Sequence, residues 1–106
     1  MAEIVWTAPA LQQLDAIAEY IALDNPAAAS RLVQQVFAKV ERLQQFPDSG
    51  RIPLELPQSI YREVILPPCR IFYRQAGEQV LILHIMRDEQ QLRVFMLKPE
   101  VQRRKK

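Results

Sequence analysis

The 106-residue sequence contains one cysteine, one histidine and two glycines. A single Cys69 cannot form an internal disulfide, and with His84 alone beside it the usual ligands of a structural zinc site are missing. The sequence also has no apolar run near the ~20 residues of a membrane-spanning helix, and no basic N-terminal stretch followed by a long apolar segment. We therefore expect no metal, no cofactor, no membrane association and a cytoplasmic location.

Positive charge is concentrated at the C-terminus. The net charge is +2, but residues 103–106 supply four of the fourteen basic side chains, which leaves ten basic and twelve acidic residues in the rest. Proteins that bind nucleic acid in general carry a basic patch that displaces phosphate counterions, so this composition disfavours that class. We predict one domain over residues 1–102 and a solvated basic tail over 103–106, with contact to a partner or nucleic acid as the tail's alternative role.

The N-terminal half predicts a short strand and two helices. Glu3–Trp6 is strand-like, and Thr7 stands at a helix N-cap position with proline in the first turn after it. Apolar residues at steps of three and four then predict a helix over residues 8–23. The sequence Asp24-Asn25-Pro26 ends this helix and begins a second one, which extends to about Gln45. Two helices joined so closely form an antiparallel hairpin.

The C-terminal half predicts a small sheet. Residues 46–60 contain three prolines and a glycine without a clear period, which is typical of an ordered connection. Residues 61–66, 70–75 and 80–86 are rich in β-branched, aromatic and aliphatic side chains and predict three antiparallel strands. The segment 92–98 is compatible with a strand or a short helix. The predicted fold is α+β, with an N-terminal strand and an antiparallel helical hairpin packed on one face of a small antiparallel β-sheet.

The turns predict the strand register. Gly77 fits the first central position of a two-residue type II′ turn closed by Ala76 and Gln79. A second tight turn at Pro67-Pro68 joins the first two strands. The expected pairs are Arg74 with Leu81, Phe72 with Leu83, Arg70 with Ile85, Glu63 with Phe72, and Tyr61 with Arg74.

Cross-strand partners share a face, so this register divides the strand residues into two sets. The nearly apolar set is expected against the helices and comprises Val64, Leu66, Ile71, Tyr73, Val80, Ile82, His84 and Met86. The other set combines an apolar floor with three arginines and is expected on an open face. We predict that function lies on this open face, at Tyr61, Glu63, Arg70, Phe72, Arg74 and Arg87.

Several segments, in this order, resemble the ParE/RelE toxin superfamily and its ParE branch. They are the N-terminal Ile4-Val5-Trp6-Thr7, Asn25-Pro26 between the helices, Pro47-Asp48-Ser49-Gly50-Arg51 in the connection, and Arg70-Ile71-Phe72-Tyr73-Arg74 in the middle strand. The resemblance covers about residues 3–88. It implies the toxin of a type II toxin–antitoxin system, neutralised by a cognate antitoxin that covers the grooves of the helical hairpin or a sheet edge, at apolar groups such as Ile65 or Leu81.

Two activities occur in this superfamily: RelE-type members cut messenger RNA on the ribosome, and ParE-type members poison DNA gyrase. RNA cleavage needs a proton acceptor, cations that stabilise the phosphorane and a donor for the leaving oxygen. Arg70 keeps the central arginine of the RelE-type pattern and Arg87 falls near the second. Tyr61 and Glu63, however, stand where lysines are expected, and no tyrosine occurs near Val94. A carboxylate at Glu63 repels a phosphate substrate.

The sequence therefore favours a toxin that inhibits DNA gyrase through protein contacts, with no catalytic residue assigned. One alternative is a ribosome-dependent mRNA endonuclease with an atypical site built from Arg70, Arg87 and Tyr73. Another is a relative that binds its antitoxin without being toxic.

Each candidate residue also has a structural interpretation. The two arginines can pair with Glu63, Asp88 or Glu89, and Tyr73 and His84 can be core residues. Arg51 can anchor the connection through backbone carbonyls.

Overall fold

The computed structural model describes residues 1–97. Residues 98–106, which include the predicted basic tail and the end of the predicted domain, lie outside the described residues. The helices and strands are β1 (Glu3–Trp6), α1 (Ala8–Ala22), α2 (Pro26–Glu41), β2 (Arg62–Leu66), β3 (Cys69–Ala76) and β4 (Gln79–Arg87), with short 3-10 helices at Arg42–Gln44 and Val94–Leu97.

Side-chain caps fix the starts of both helices, and the one at Thr7 confirms the prediction. The Thr7 hydroxyl oxygen accepts from the Ala10 N–H at 3.4 Å, and the hydroxyl donates to the Ile82 carbonyl at 2.8 Å, which ties α1 to β4. The Asn25 side-chain oxygen accepts from the Ala28 N–H at 3.0 Å. The second α-helix ends at Glu41, before the predicted Gln45, and the chain continues as a 3-10 helix over Arg42–Gln44. In the described part of the chain, no helix is long and apolar enough to cross a membrane.

The sheet has four strands in the order β1-β4-β3-β2. Strands β2, β3 and β4 form the predicted antiparallel arrangement. Strand β1 adds to the far edge and runs parallel to β4, so the sheet is mixed and not wholly antiparallel. This is possible because the whole α1–α2 hairpin separates β1 from its partner, and a parallel pair needs such a long crossover.

The predicted turn between β3 and β4 is present, since Gly77 has φ +62° and Ala76 pairs with Gln79. The pairing of Glu63 with Phe72 is also confirmed, although β2 begins at Arg62 and the ladder ends before the expected Tyr61–Arg74 pair. In β4 the register shifts by one residue at a β-bulge. The bulge places Phe72 opposite His84 and Arg70 opposite Met86, so the predicted pairs of Phe72 with Leu83 and Arg70 with Ile85 are wrong.

The bulge moves every later β4 side chain to the other face, because successive strand residues alternate. Ile85 therefore joins the core against the helices, whereas His84 and Met86, predicted there, lie on the opposite side. For the β4 residues before the bulge, the predicted division between the two faces is confirmed, with Val80 and Ile82 in the core against the helices. The buried residues of the helix-side core are Ala10, Leu14, Leu32, Val36, Val40, Leu43, Cys69, Ile71, Tyr73, Val80, Ile82 and Ile85.

The face predicted to be open is covered by the chain itself. Leu56 and Tyr61 from the connection, and Leu92 and Leu97 near the end of the described chain, pack on it. The segment left undecided in the sequence forms a 3-10 helix over Val94–Leu97. The covered strand side chains are Phe72, Leu81, Leu83 and Met86. An apolar floor of this size is stabilised by burial, which is why the connection and the C-terminal segment lie over it.

We predict that Gly50→Ala destabilises the fold, because an added Cβ would lie 2.6 Å from the Tyr73 hydroxyl oxygen and 2.8 Å from the Glu63 carbonyl oxygen. Overpacking of this kind costs roughly 1–3 kcal/mol. Urea unfolding measures the loss. Ser49→Ala, at an exposed neighbour in the same connection, is the matched control and should stay within about 0.5 kcal/mol of the wild type. Equal stability of the two variants would contradict the close packing at Gly50.

Candidate functional site

Glu63 lies at the centre of an ion-pair network on the covered face. Its backbone pairs with Arg51 in the connection, since the Arg51 N–H donates to the Glu63 carbonyl at 3.0 Å and the Glu63 N–H donates to the Arg51 carbonyl at 2.7 Å. The Glu63 side chain is 0% exposed. One of its oxygens accepts from Arg51 Nε and the other from Arg70 Nε, each at 2.8 Å.

Arg70 is held between two carboxylates. Besides its bond to Glu63, its two terminal nitrogens donate to the two oxygens of Glu55 at 2.9 Å, and its guanidinium carbon lies 4.9 Å from the centre of the Phe72 ring. The hydrogen bond from Arg70 lowers the pKa of Glu55 to about 2, and the same bond raises the pKa of Arg70. A bidentate pair of this kind fixes both side chains in one geometry.

This arrangement leaves little room for phosphate chemistry at Arg70. A phosphate would have to compete with Glu55 and Glu63 for the guanidinium, and both carboxylates repel a second anion. The pairing of Arg70 with Glu63, expected as the structural interpretation, is present. Arg70, which best matches the nuclease pattern, therefore neutralises the buried carboxylate of Glu63. A buried charge needs such a partner.

Arg87 does not share a face with Arg70, contrary to the prediction. The bulge in β4 turns it towards α1, opposite Cys69, and its guanidinium carbon lies 5.6 Å from the centre of the Tyr20 ring. Its Nε donates to Glu89 at 2.9 Å, which is one of the expected ion pairs. The two arginines lie on opposite sides of the sheet and cannot hold one phosphate between them.

Tyr73 lies in the helix-side core and is 0% exposed. Its hydroxyl donates to the Pro47 carbonyl at 2.7 Å and accepts from the Gly50 N–H at 2.9 Å. Burial raises the pKa of Tyr73, which makes it a poor proton donor or acceptor near neutral pH. The side chain anchors the connection to β3. The predicted core position is confirmed, but the hydroxyl is buried against the connection and does not lie at the rim.

The remaining candidates occupy structural positions. Tyr61 and Phe72 are buried in the cluster on the covered face, and Arg74 is half-buried opposite Leu81 on β4. Burial lowers the pKa of His84 and raises that of the fully buried Cys69 thiol, so neither is prepared for proton transfer or nucleophilic attack. Within residues 1–97, no three His, Cys, Asp or Glu side chains are grouped as metal ligands would be.

Sequence reasoning missed Glu55 and assigned a role to the wrong arginine. Arg62, and not Arg51, anchors the connection through carbonyls, with one terminal nitrogen 2.8 Å from the Gly50 oxygen and 3.2 Å from that of Asp48. Arg51 instead reaches a carboxylate. The alternation of β2 already places Arg62 and Glu63 on opposite faces, but an aperiodic connection gives no signal for the position of Glu55.

The sequence from residue 4 to residue 92 matches the family described as the ParE toxin of the type II toxin–antitoxin system, parDE. The chain belongs to the ParE toxin family. The match includes most of β1, both helices, the connection, the three antiparallel strands, and the chain up to Leu92, which packs on the covered face. The expected superfamily and its ParE branch are confirmed, and membership in a toxin–antitoxin family implies an antitoxin partner.

Individual relatives agree with membership of the ParE family. Toxin RelE2 of Caulobacter vibrioides is 34% identical over 85 residues, which cover 80% of this chain and 93% of that protein. Putative toxin Y4kP of Sinorhizobium fredii is 40% identical over 90 residues, covering 83% and 90%. A solved chain of the chromosomal ParDE TA system from P. aeruginosa has 33% identity and a TM-score of 0.69, and the match covers 82% of this chain and 96% of that one.

We predict that Glu55 makes the stability of the fold sensitive to acid. Its pKa in the folded chain, about 2, lies below the ordinary value of 4.5. Its carboxylate therefore stabilises the fold above about pH 4.5, and this contribution is lost as the pH falls towards 2. Glu55→Gln should flatten the dependence of the unfolding free energy on pH in that window. Urea unfolding over a pH series tests this, with Glu41→Gln on the exposed side of α2 as the matched control. An unchanged slope in Glu55→Gln would contradict the ion pair.

Proposed function

We propose that this ParE-family chain is a cytoplasmic toxin that inhibits DNA gyrase by binding to it, without bond chemistry of its own. The observation that supports this proposal is the position of Arg70 between Glu63 and Glu55. Gyrase inhibition is the activity associated with the ParE branch, and it needs a binding surface in place of a catalytic set. The antitoxin then acts by covering the toxin's surface.

The geometry disfavours RNA cleavage on three separate grounds. Arg70 is neutralised, Arg87 is on the other side of the sheet, and the Tyr73 hydroxyl is bonded to two backbone groups. A nuclease needs its proton acceptor, its cations and its leaving-group donor within reach of one phosphate. These three side chains do not converge on one point.

The exposed surface offers apolar groups for protein contacts. Tyr20 and Leu23 near the tip of the helical hairpin are 67% and 86% exposed, and Leu54 and Ile60 in the connection are 79% and 67% exposed. Aromatic and aliphatic side chains of this kind supply much of the binding energy in protein interfaces. They make binding of a large protein target the simpler mode of action.

Ribosome-dependent mRNA cleavage is the second candidate, because one relative at 34% identity is named Toxin RelE2. It predicts cuts in translated messenger RNA at codon-related positions. An antitoxin-binding relative without toxicity is the remaining possibility, and its expression alone would leave growth unchanged.

Purified chain should inhibit supercoiling of a relaxed plasmid by gyrase and should trap the gyrase–DNA cleavage complex, because the proposed target is the enzyme and not its substrate. Linear DNA after detergent and protease treatment measures the trapped complex. Adding the cognate antitoxin is the control, and it should restore supercoiling. Unaffected gyrase, together with codon-related cuts in messenger RNA from cells that express the chain, would contradict the proposal in favour of the second candidate.

A further inference from the structure

The two helices of the hairpin differ in charge. Helix α1 exposes Asp15 and Glu19 and contains no lysine or arginine. Helix α2 exposes Arg31 and carries Lys39 in its last turn, and Arg42 follows it directly. The composition of the whole chain, which disfavours a general nucleic-acid binder, therefore averages over charges that the fold places on different surfaces.

The cations of α2 lie along one flank of the helix. Arg31, Gln35 and Lys39 follow one another at steps of four, and Arg42 falls on the same flank three residues later. This cationic row is about 16 Å long, since a helix rises about 1.5 Å per residue. Lys39 and Arg42 line the groove beside β2, whereas Glu41, the carboxylate of α2, lines a separate groove beside β1. The negative charge of the helix is thus turned away from the row.

The cations of this row are not neutralised by the chain itself. Within residues 1–97, the ion pairs are formed by Arg51, Arg70 and Arg87, and the row takes part in none of them. Glu63, the carboxylate that lines the groove beside β2, already accepts from two arginines. Positive charges fixed on a rigid helix create a potential that attracts a row of anions.

We propose that this cationic row binds the phosphate backbone of duplex DNA. The inference rests on the gyrase inhibition proposed above, because a protein bound to gyrase meets the duplex that the enzyme holds. Lysine and arginine side chains bind phosphates by displacing their counterions, and the Gln35 amide adds an N–H donor for a phosphate oxygen. Duplex DNA carries one charge per about 1.7 Å of its axis, so the row faces several phosphates. Contacts of this kind read no base sequence.

The side chains of the row favour a duplex over a single strand. Proteins that bind single strands combine positive charge with aromatic side chains on which the bases stack. The row contains no aromatic residue. Phe37 of α2 lies on the other flank, with its ring centre 4.9 Å from that of Trp6. Bases that remain paired need no stacking surface on the protein, and only their phosphates have to be contacted.

The salt dependence of binding to a short labelled DNA duplex tests the proposal with the purified full chain. Each phosphate contact contributes about −0.9 to the slope of log K against log salt concentration. Arg31→Gln, Lys39→Gln and Arg42→Gln should therefore each make the slope shallower by about 0.9, because the basic tail is the same in every variant. Arg87→Gln removes the same charge from a side chain that is paired with a carboxylate, and as the matched control it should keep the wild-type slope. Fluorescence anisotropy measures the affinity, and thermal melting confirms that each variant folds. Wild-type slopes in all three row variants, or no DNA binding by the wild type, would overturn the proposal.

Two further comparisons separate the ligand from the function. A single DNA strand of the same length should bind more weakly than the duplex, since its charge density is lower. Equal or tighter binding of that strand, or tighter binding of an RNA duplex, would overturn the assignment to duplex DNA. Gyrase inhibition by the wild type without any DNA binding would overturn the contact and leave the proposed function standing. DNA binding through the row without gyrase inhibition would support the contact and contradict the proposed function.

Discussion

The Glu63 carboxylate, buried between Arg51 and Arg70, constrains how the connection packs on the covered face of the sheet. A carboxylate with no exposure is stable only if its charge is paired and its oxygens are hydrogen-bonded. Arg51, one of the two arginines that meet this need, lies in the connection, and its pairing with Glu63 places the connection alongside β2. The other comes from β3 and holds Glu55, which lies further along the connection. These ion pairs and the burial of the apolar floor together hold the connection over this face.

The residues that first suggest chemistry are thereby committed to the fold. Arg70, at the centre of the nuclease-like pattern, is bonded to the two carboxylates of Glu63 and Glu55. The inward groups of strand β2 bond to β3, Glu63 bonds to the connection, and Ile65 is left at the open edge beside the cationic end of α2.

Sequence reasoning predicted the features that depend on local chemistry. The N-cap at Thr7, the start of α2 at Pro26, the turn at Gly77 and the pairing of Glu63 with Phe72 follow from short-range rules. The misplacement of Arg87 follows from one extra residue in β4, which reverses all later side chains and leaves no mark in the hydrophobic pattern. Two features join segments that are distant in the chain: the packing on the covered face, and the ion pair of Glu55 with Arg70. A single sequence carries no signal for such contacts.

A double-mutant cycle on the Glu63–Arg70 pair tests the central claim most directly. The unfolding free energies of the wild type, Glu63→Gln, Arg70→Gln and the double variant give the coupling between the two side chains. Each single change removes one of the two partners of a buried charge, since Glu63 keeps Arg51 and Arg70 keeps Glu55, and should cost at most roughly 3–5 kcal/mol. The double variant should lose less than the two single losses combined, by about 1.5 kcal/mol or more. Additive losses would show that Arg70 does not serve to neutralise Glu63, and would contradict the account.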